Sequence, residues 1–222
     1  MYVGPKRKRM EIHKKLLSSI SPELNKHVNN DMKEGIEGII YLPDEGEEVL
    51  TLFTEWAYTG DYAGARKDDA LPADTRNRKK PDALPANTRN RKKPDALPAD
   101  TRNRKKPKQD PWLSLYKHLQ LCTFADKFNV PILKRLAESK FYTEIRLVTI
   151  EPNCSRDVSD FVLLIDYACN NLPSSDPILK YFAQYAAWRL ELLRETTSFN
   201  DLVLSQPDFL KELLRNVGWV EN

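Results

Sequence analysis

Residues 121–134 read LCTFADKFNVPILK, and this stretch predicts two helices separated by a short break. In the first helix, expected over residues 112–128, apolar residues recur at helical spacing at Leu115, Leu119, Cys122 and Ala125. Asn129-Val130-Pro131 interrupts the pattern, because proline lacks the N–H that a helix interior needs. Pro131 suits the first turn of the second helix, which continues through Leu133, Leu136 and Phe141. We therefore expect a first helix, a short break and a second helix.

The sequence after this pair predicts helices only. Residues 157–171 place four apolar residues on one helical face, and a longer helix is expected over residues 178–194. Phe209, Leu213 and Val217 have the spacing of a last helix. Residues 156–222 are therefore predicted to form an all-helical C-terminal extension.

The sequence before the pair predicts a small sheet with helices. Val3-Gly4-Pro5 is typical of a hairpin turn, and residues 10–13 alternate as a short strand does. A helix is expected over residues 14–20, and Ser21-Pro22 has the residues that start another one. Residues 36–42 predict a second strand, since they are rich in β-branched and aromatic residues.

A further helix is predicted after this second strand. Asp44 is expected to cap it, and Phe53 and Trp56 belong to its buried stripe. Gly60 is expected to end it, because glycine readily adopts the left-handed conformation of a helix C-terminus. Strands followed by helices indicate an α+β fold.

A tandem repeat separates the two halves. Residues 69–81, 82–94 and 95–107 are three copies of one 13-residue unit, which differ only at positions 74, 87 and 100. Each copy has two prolines and a single large apolar residue, a leucine. One leucine per unit buries too little surface to offset the entropy of ordering the chain. We therefore predict that residues 66–110 are a disordered insert, expanded by duplication within a loop.

The insert carries the positive charge of the protein. Residues 66–109 contain 15 Lys+Arg and 6 Asp+Glu, a net charge of +9, whereas the rest of the chain has a net charge of −6. This asymmetry argues against a general nucleic-acid surface on the folded part. Three interpretations of the insert stay open: a solvated linker, weak phosphate contacts with nucleic acid, or nuclear import. The nuclear-import candidates are Arg102, Arg104, Lys105, Lys106 and Lys108.

Several function classes find no support in the sequence. No apolar run approaches the ~20 residues of a membrane span, and no secretory signal is expected at the N-terminus. Cys122, Cys154 and Cys169 are too widely spaced for a zinc or disulfide pattern. His13, His27 and His118 lie outside any nucleophile or metal signature. We therefore expect no cofactor, no metal and no enzymatic activity, and an intracellular location in the nucleus or cytoplasm.

Three motifs, taken in order, resemble the BTB/POZ family, and in particular its fungal members. Residues 10–22, MEIHKKLLSSISP, are similar to the strand-to-helix entry of that domain. Residues 39–44 and 53–60, IIYLPD and FTEWAYTG, resemble its strand, helix and Tyr-Thr-Gly end. Residues 121–134 resemble its Ala-Asp-Lys-Phe helix pair.

The resemblance implies a BTB/POZ-like α+β fold, in which a small sheet with flanking helices precedes a helical tail. Residues 1–65 and 111–150 would form the two halves of the domain, and His13 would have a structural role. Such domains associate with themselves and recruit partners, and many act as substrate adaptors for cullin ubiquitin ligases. The insert falls in a loop close to the surface that cullins use, where it would obstruct docking. The resemblance places a homodimer interface at Leu16, Leu17, Ile20 and Leu24.

Overall fold

A computed structural model describes most of the chain on both sides of the repeats. The described residues are 1–5, 7–29, 33–63, 110–150 and 154–217. The repeats and all five nuclear-import candidates lie outside the described residues. The disorder that we predict for the insert concerns these same residues. The structure is mostly helical with one small three-stranded sheet, which agrees with the α+β prediction in its general form.

The sheet has the order β2-β1-β3, with β1 (Tyr2–Val3) at its centre. β1 pairs antiparallel with β2 (Lys8–Arg9) and parallel with β3 (Tyr41–Leu42). Gly4 takes a positive φ of 67° in the turn between β1 and β2, and the Arg7 amide donates to the Gly4 carbonyl at 3.0 Å. The predicted hairpin is therefore confirmed.

The strand predicted over residues 10–13 is wrong, and the strand predicted over residues 36–42 is right only at its end. Residues 10–13 are irregular, because the ladder ends where the Met10 amide donates to the Met1 carbonyl at 2.8 Å. Within residues 36–42, the first part belongs to the short helix α3 (Lys33–Glu37), and only Tyr41 and Leu42 pair as a strand. Strand propensity depends on a neighbouring strand to pair with, and β1 offers only two residues.

Helices α1 (Lys14–Ile20) and α2 (Pro22–Val28) meet at Ser21, as predicted. The Ser21 hydroxyl oxygen accepts a hydrogen bond from the Leu24 amide at 3.1 Å, which caps α2. The hydroxyl also donates to the Phe128 carbonyl. Ser21 is buried, so its side chain fixes the α1–α2 corner against the end of a helix far along the chain.

Helix α4 spans Glu47–Thr59. The prediction that Asp44 caps it is wrong, since the helix begins three residues later and Gly46 occupies the capping position without a side-chain bond. Gly60 ends the helix at φ 79°, and its amide donates to the Trp56 carbonyl at 2.8 Å. The predicted stripe is confirmed, because Phe53 and Trp56 are both buried.

The two predicted helices are confirmed as α5 (Pro111–Lys127) and α6 (Pro131–Ile145), which we call the central helix pair. The Asp110 carboxylate accepts from the Trp112 amide at 3.1 Å, so the described body resumes on a capped helix. All four residues of the predicted α5 stripe are buried: Leu115, Leu119, Cys122 and Ala125.

Five helices follow: α7 (Ser155–Asn171), α8 (Pro177–Trp188), α9 (Leu190–Leu193), α10 (Thr197–Ser205) and α11 (Pro207–Val217). The single helix expected over residues 178–194 is wrong, because it breaks at Arg189 (φ −103°, ψ 16°), where neither glycine nor proline marks the break. Helix α10 was not predicted from the sequence. Only Phe199 and Leu202 of its nine residues are buried, so its apolar pattern is short.

Aromatic side chains connect the later helices to the central pair. The Phe161 ring of α7 lies 6.3 Å from Trp112 of α5 and 5.7 Å from Phe182 of α8 between ring centroids. Phe182 in turn lies 5.6 Å from Phe141 of α6. The described residues on both sides of the repeats therefore pack around one core. None of the described helices is long and apolar enough to cross a membrane.

Candidate functional site

The first two sequence motifs meet at His13 and Tyr58. The His13 amide donates to the Tyr58 hydroxyl oxygen at 3.0 Å, and Nδ1 of the His13 ring lies 2.6 Å from the same oxygen. The two rings are edge-to-face with centroids 5.7 Å apart. The residue that opens α1 is thus tied to the end of α4, although 45 positions separate the two in sequence.

The third motif joins the same body through Ser21 and Lys127. Ser21 donates to the Phe128 carbonyl at the end of α5. Lys127 forms an ion pair with Glu45, just before α4, with 2.6 Å between Nζ and Oε1. Because Lys127 is more than half exposed, this pair contributes at most about 1 kcal/mol, whereas the buried Ser21 bond carries more of the connection. The three motifs therefore form one connected set in space.

The four dimer-interface candidates fall into two groups. Leu17 and Leu24 are almost completely buried in the core of this chain, at 1% and 0% exposure. Leu16 and Ile20 are half-buried, and Ile20 packs against the core. A fully buried side chain has no surface to offer a second copy. The dimer prediction therefore rests on Leu16 and Ile20.

A buried polar cluster lies beside the point where the chain enters the repeats. His118 of α5 is fully buried, and its Nδ1 lies 2.8 Å from the Tyr62 hydroxyl. Its Nε2 lies 3.2 Å from Oε1 of Glu144, an ion-pair distance without the alignment of a hydrogen bond. Glu144 accepts from the Ser114 hydroxyl at 2.5 Å through its other oxygen. Lys140 of α6 donates to the Tyr62 carbonyl and lies 4.3 Å from the centre of its ring.

Burial controls the protonation of this cluster. It lowers the pKa of His118, and the Glu144 carboxylate opposes that shift only in part. It raises the pKa of the Tyr62 hydroxyl far above the usual value. At neutral pH the His118–Tyr62 pair is therefore an uncharged hydrogen bond. Ser114 bonds to Glu144 and not to the imidazole, so the histidine does not activate this hydroxyl as a nucleophile.

Stability is expected to fall as the pH drops from about 7.5 to 5.5. The lowered pKa of folded His118 means that the unfolded chain binds a proton near pH 6.5 that the folded chain binds only at lower pH. The contribution of neutral His118 to stability is complete above the pKa that His118 has in the unfolded chain, and it is lost as the pH falls below that value. Over this range the free energy of unfolding changes by at most about 1.4 kcal/mol per pH unit. Urea titrations across this range, on the wild type and on His118→Gln, measure it. An equal slope in both proteins would contradict the assignment to His118.

A groove of about 490 Å³ runs between α5 and α7. Leu164 lies at its base with Tyr116 and Tyr167, whose ring centroids are 5.0 Å apart. Leu113 and Leu163 stand beside it and are 51% and 61% exposed. The volume is that of a small-molecule or peptide site. The sequence patterns did not reveal this groove, although both exposed leucines lie outside the predicted apolar stripes of their helices.

Charged side chains close one end of this groove. Arg156 of α7 pairs with Asp110, and its Nε lies 3.4 Å from Oδ2 of Asp160. Trp112 donates from its ring nitrogen to Asp157 at 3.0 Å. Arg156 is mostly exposed, so water screens its two pairs and each contributes at most about 1 kcal/mol.

Burial governs the state of two of the three cysteines. Burial raises the pKa of Cys122 strongly and that of Cys169 to about 12, so both thiols are protonated at neutral pH. Within the described residues, no three His, Cys, Asp or Glu side chains are placed to hold a metal ion.

Comparison with known proteins adds no assignment. No protein-family model matches the sequence, and no curated protein is significantly similar to it. The resemblance to BTB/POZ domains therefore rests on the three motifs alone.

Proposed function

We propose that this chain is a non-enzymatic protein-interaction module of the BTB/POZ type, which associates with itself and recruits other proteins. The observation that supports this proposal is the convergence of the three motifs. His13 contacts Tyr58 and Ser21 contacts Phe128, so residues that define the resemblance in sequence also contact one another in space. These contacts join the three motifs within one folded body, as the resemblance requires.

The exposed part of α1 is the surface that we assign to self-association. Leu16 is half-buried and lies outside the set of residues that pack against the core. Ile20 follows it one helical turn later, so the two side chains share one face. On association, each apolar side chain gains roughly 25 cal/mol for every Å² removed from water.

Light scattering on the purified full chain tests self-association. We expect the wild type to have the mass of a dimer in the micromolar range, and Leu16→Asp to have the mass of a monomer, because a carboxylate in an apolar interface is costly to desolvate. Leu163→Asp on α7 is the matched control, since it introduces the same charge at an exposed leucine and should leave the dimer intact.

Two results would overturn the proposed self-association. One is a wild type that stays monomeric throughout the micromolar range. The other is a dimer that Leu16→Asp leaves unchanged while circular dichroism shows the variant to be folded.

A role as a cullin adaptor is the more specific form of this proposal, and only the resemblance supports it. The test is co-purification with a cullin, using the full chain and a variant without residues 66–109. Association with the shortened chain alone would mean that the insert obstructs docking. Failure of both chains to bind would remove the adaptor role and leave self-association standing.

A nuclear role is the second candidate, and the net charge of +9 in residues 66–109 favours it. Phosphate contacts by those residues would make DNA binding sensitive to salt and independent of sequence. The expected observation is binding to DNA in low salt that disappears when residues 69–107 are deleted. Nuclear import is tested separately, by fusing residues 66–109 to a fluorescent protein, and a diffuse signal would exclude it.

A further inference from the structure

A row of aromatic side chains crosses from α6 to α8. Tyr181, Tyr185 and Trp188 are spaced by four and three residues, so they share one face of α8. Their ring centroids are 6.4 Å and 5.7 Å apart in sequence order. Tyr142 of α6 extends the row, with its centroid 5.5 Å from that of Tyr181. The three tyrosines are half-buried, whereas Trp188 is 59% exposed.

Two arginines accompany this row. The Arg189 guanidinium lies 4.2 Å from the centre of the Trp188 ring, a cation–π contact. Arg146 ends α6 in the α conformation four residues after Tyr142, so it follows Tyr142 on the same face of that helix. We call Tyr181, Tyr185, Trp188, Arg146 and Arg189 the basic–aromatic face.

The two arginines of this face belong to the described arginines without a carboxylate partner, as do Arg7 and Arg135. Arg156, Arg194 and Arg215 each pair with a carboxylate. Among the described residues, neither Arg146 nor Arg189 has such a partner, and the Nε of Arg189 is buried without a hydrogen bond. Guanidinium groups bind carboxylates through hydrogen bonds. The buried Nε of Arg189 is closed to a ligand, so a carboxylate would bind the other guanidinium nitrogens of this arginine.

From these observations we propose that the basic–aromatic face binds an acidic peptide segment of a partner protein. Carboxylates of the peptide pair with Arg146 and Arg189, and an apolar side chain of the peptide packs on the exposed part of Trp188. Tyrosine, tryptophan and arginine are the residues that most often dominate binding energy at protein interfaces. This face is separate from α1, and the proposal does not depend on self-association.

Single-stranded nucleic acid is the other polymer that combines negative charge with flat apolar groups. The charge balance disfavours it, because the chain outside residues 66–109 has a net charge of −6. A phosphate backbone would meet this field over its whole length, whereas a short peptide engages two arginines locally. We therefore assign the face to a peptide and use an oligonucleotide as a competing probe.

The experiment is selection of a random-peptide phage library on the immobilised full chain, followed by affinity measurement of the selected peptides. Residues 66–109 also attract acidic peptides, so the deciding comparison is between variants that keep them. We expect acidic peptides with an apolar residue to be enriched. Trp188→Ala, which changes no charge, and Arg146→Glu should each weaken their binding roughly tenfold. Lys26→Glu reverses a charge at an exposed position of α2 and should have little effect on peptide affinity.

Each remaining outcome overturns the proposal. Failure to enrich acidic peptides excludes it, and so does binding that Trp188→Ala leaves unchanged. Stronger binding of a labelled oligothymidine, lost in the same two variants, would reassign the face to nucleic acid. Equal weakening by Lys26→Glu would show a general charge effect. Because Trp188 is mostly exposed, Trp188→Ala is expected to fold, and Trp188→Phe, which keeps an aromatic ring, should retain most of the affinity.

Discussion

Leu24→Ala is expected to lower the free energy of unfolding by about 2–5 kcal/mol. Leu24 has no exposed surface and belongs to the core, so the shorter side chain loses buried area and leaves a cavity. Leu16→Ala, on the same α1–α2 corner, should cost less than about 1 kcal/mol in a monomer, since Leu16 is half-buried and outside the core. Urea denaturation of both variants at low protein concentration measures the difference.

The opposite ranking of the two stability losses would support the prediction that Leu24 belongs to the dimer interface. If Leu24→Ala barely changed the stability of the monomer but abolished the dimer, Leu24 would be an exposed contact and the packing of α2 against the core would be wrong. A stability loss with Leu24→Ala and a loss of dimer with Leu16→Asp would separate the core residue from the interface residue.

Phe161→Ala should lower the free energy of unfolding by about 3–5 kcal/mol. Phe161 is buried among aromatic rings of α5 and α8, including Tyr185, whose centroid is 5.2 Å away. Removal of the ring empties the junction between the central helix pair and the later helices. Thermal unfolding followed by tryptophan fluorescence and by circular dichroism should show one transition, shifted to lower temperature for both signals.

Phe161→Leu is the control for this junction, and it should lose only about 1–1.5 kcal/mol because most of the volume is retained. Two separate transitions in the wild type would contradict a shared core. A lowered transition in only one of the two signals would show that the later helices unfold independently of α5 and α6.

The sequence predicts the helices best where proline, glycine or serine marks their ends. Pro131 and Gly60 begin or end helices as expected, and Ser21 caps α2. At Arg189 no such residue marks the break, so two helices were predicted as one. The strands were placed less well, since two-residue pairings depend on which segments meet and alternation along one segment does not contain that information.

For the candidate site, sequence identifies residue types but not their exposure. Leu16, Leu17, Ile20 and Leu24 have similar apolar character, yet two are buried and two are partly exposed, because α1 and α2 turn different sides to the core. The basic–aromatic face follows from helical spacing on α8 together with proximity to α6. The spacing can be read from the sequence, whereas the proximity depends on how the helices pack.

The described residues stop at Ala63 and resume at Asp110, and each of these two points lies beside an ion pair. Lys140 forms an ion pair with Asp61, two residues before Ala63, with 2.6 Å between the charged atoms. Arg156 forms an ion pair with Asp110. Neither ion pair involves a residue of the repeats. For a disordered insert, which is what the sequence predicts, doubling the length adds only about 0.6 kcal/mol to the cost of closing it. We therefore expect that copies of the repeat can be gained or lost at little cost to the fold. We likewise expect the fold to tolerate an epitope or a reporter domain in place of the repeats.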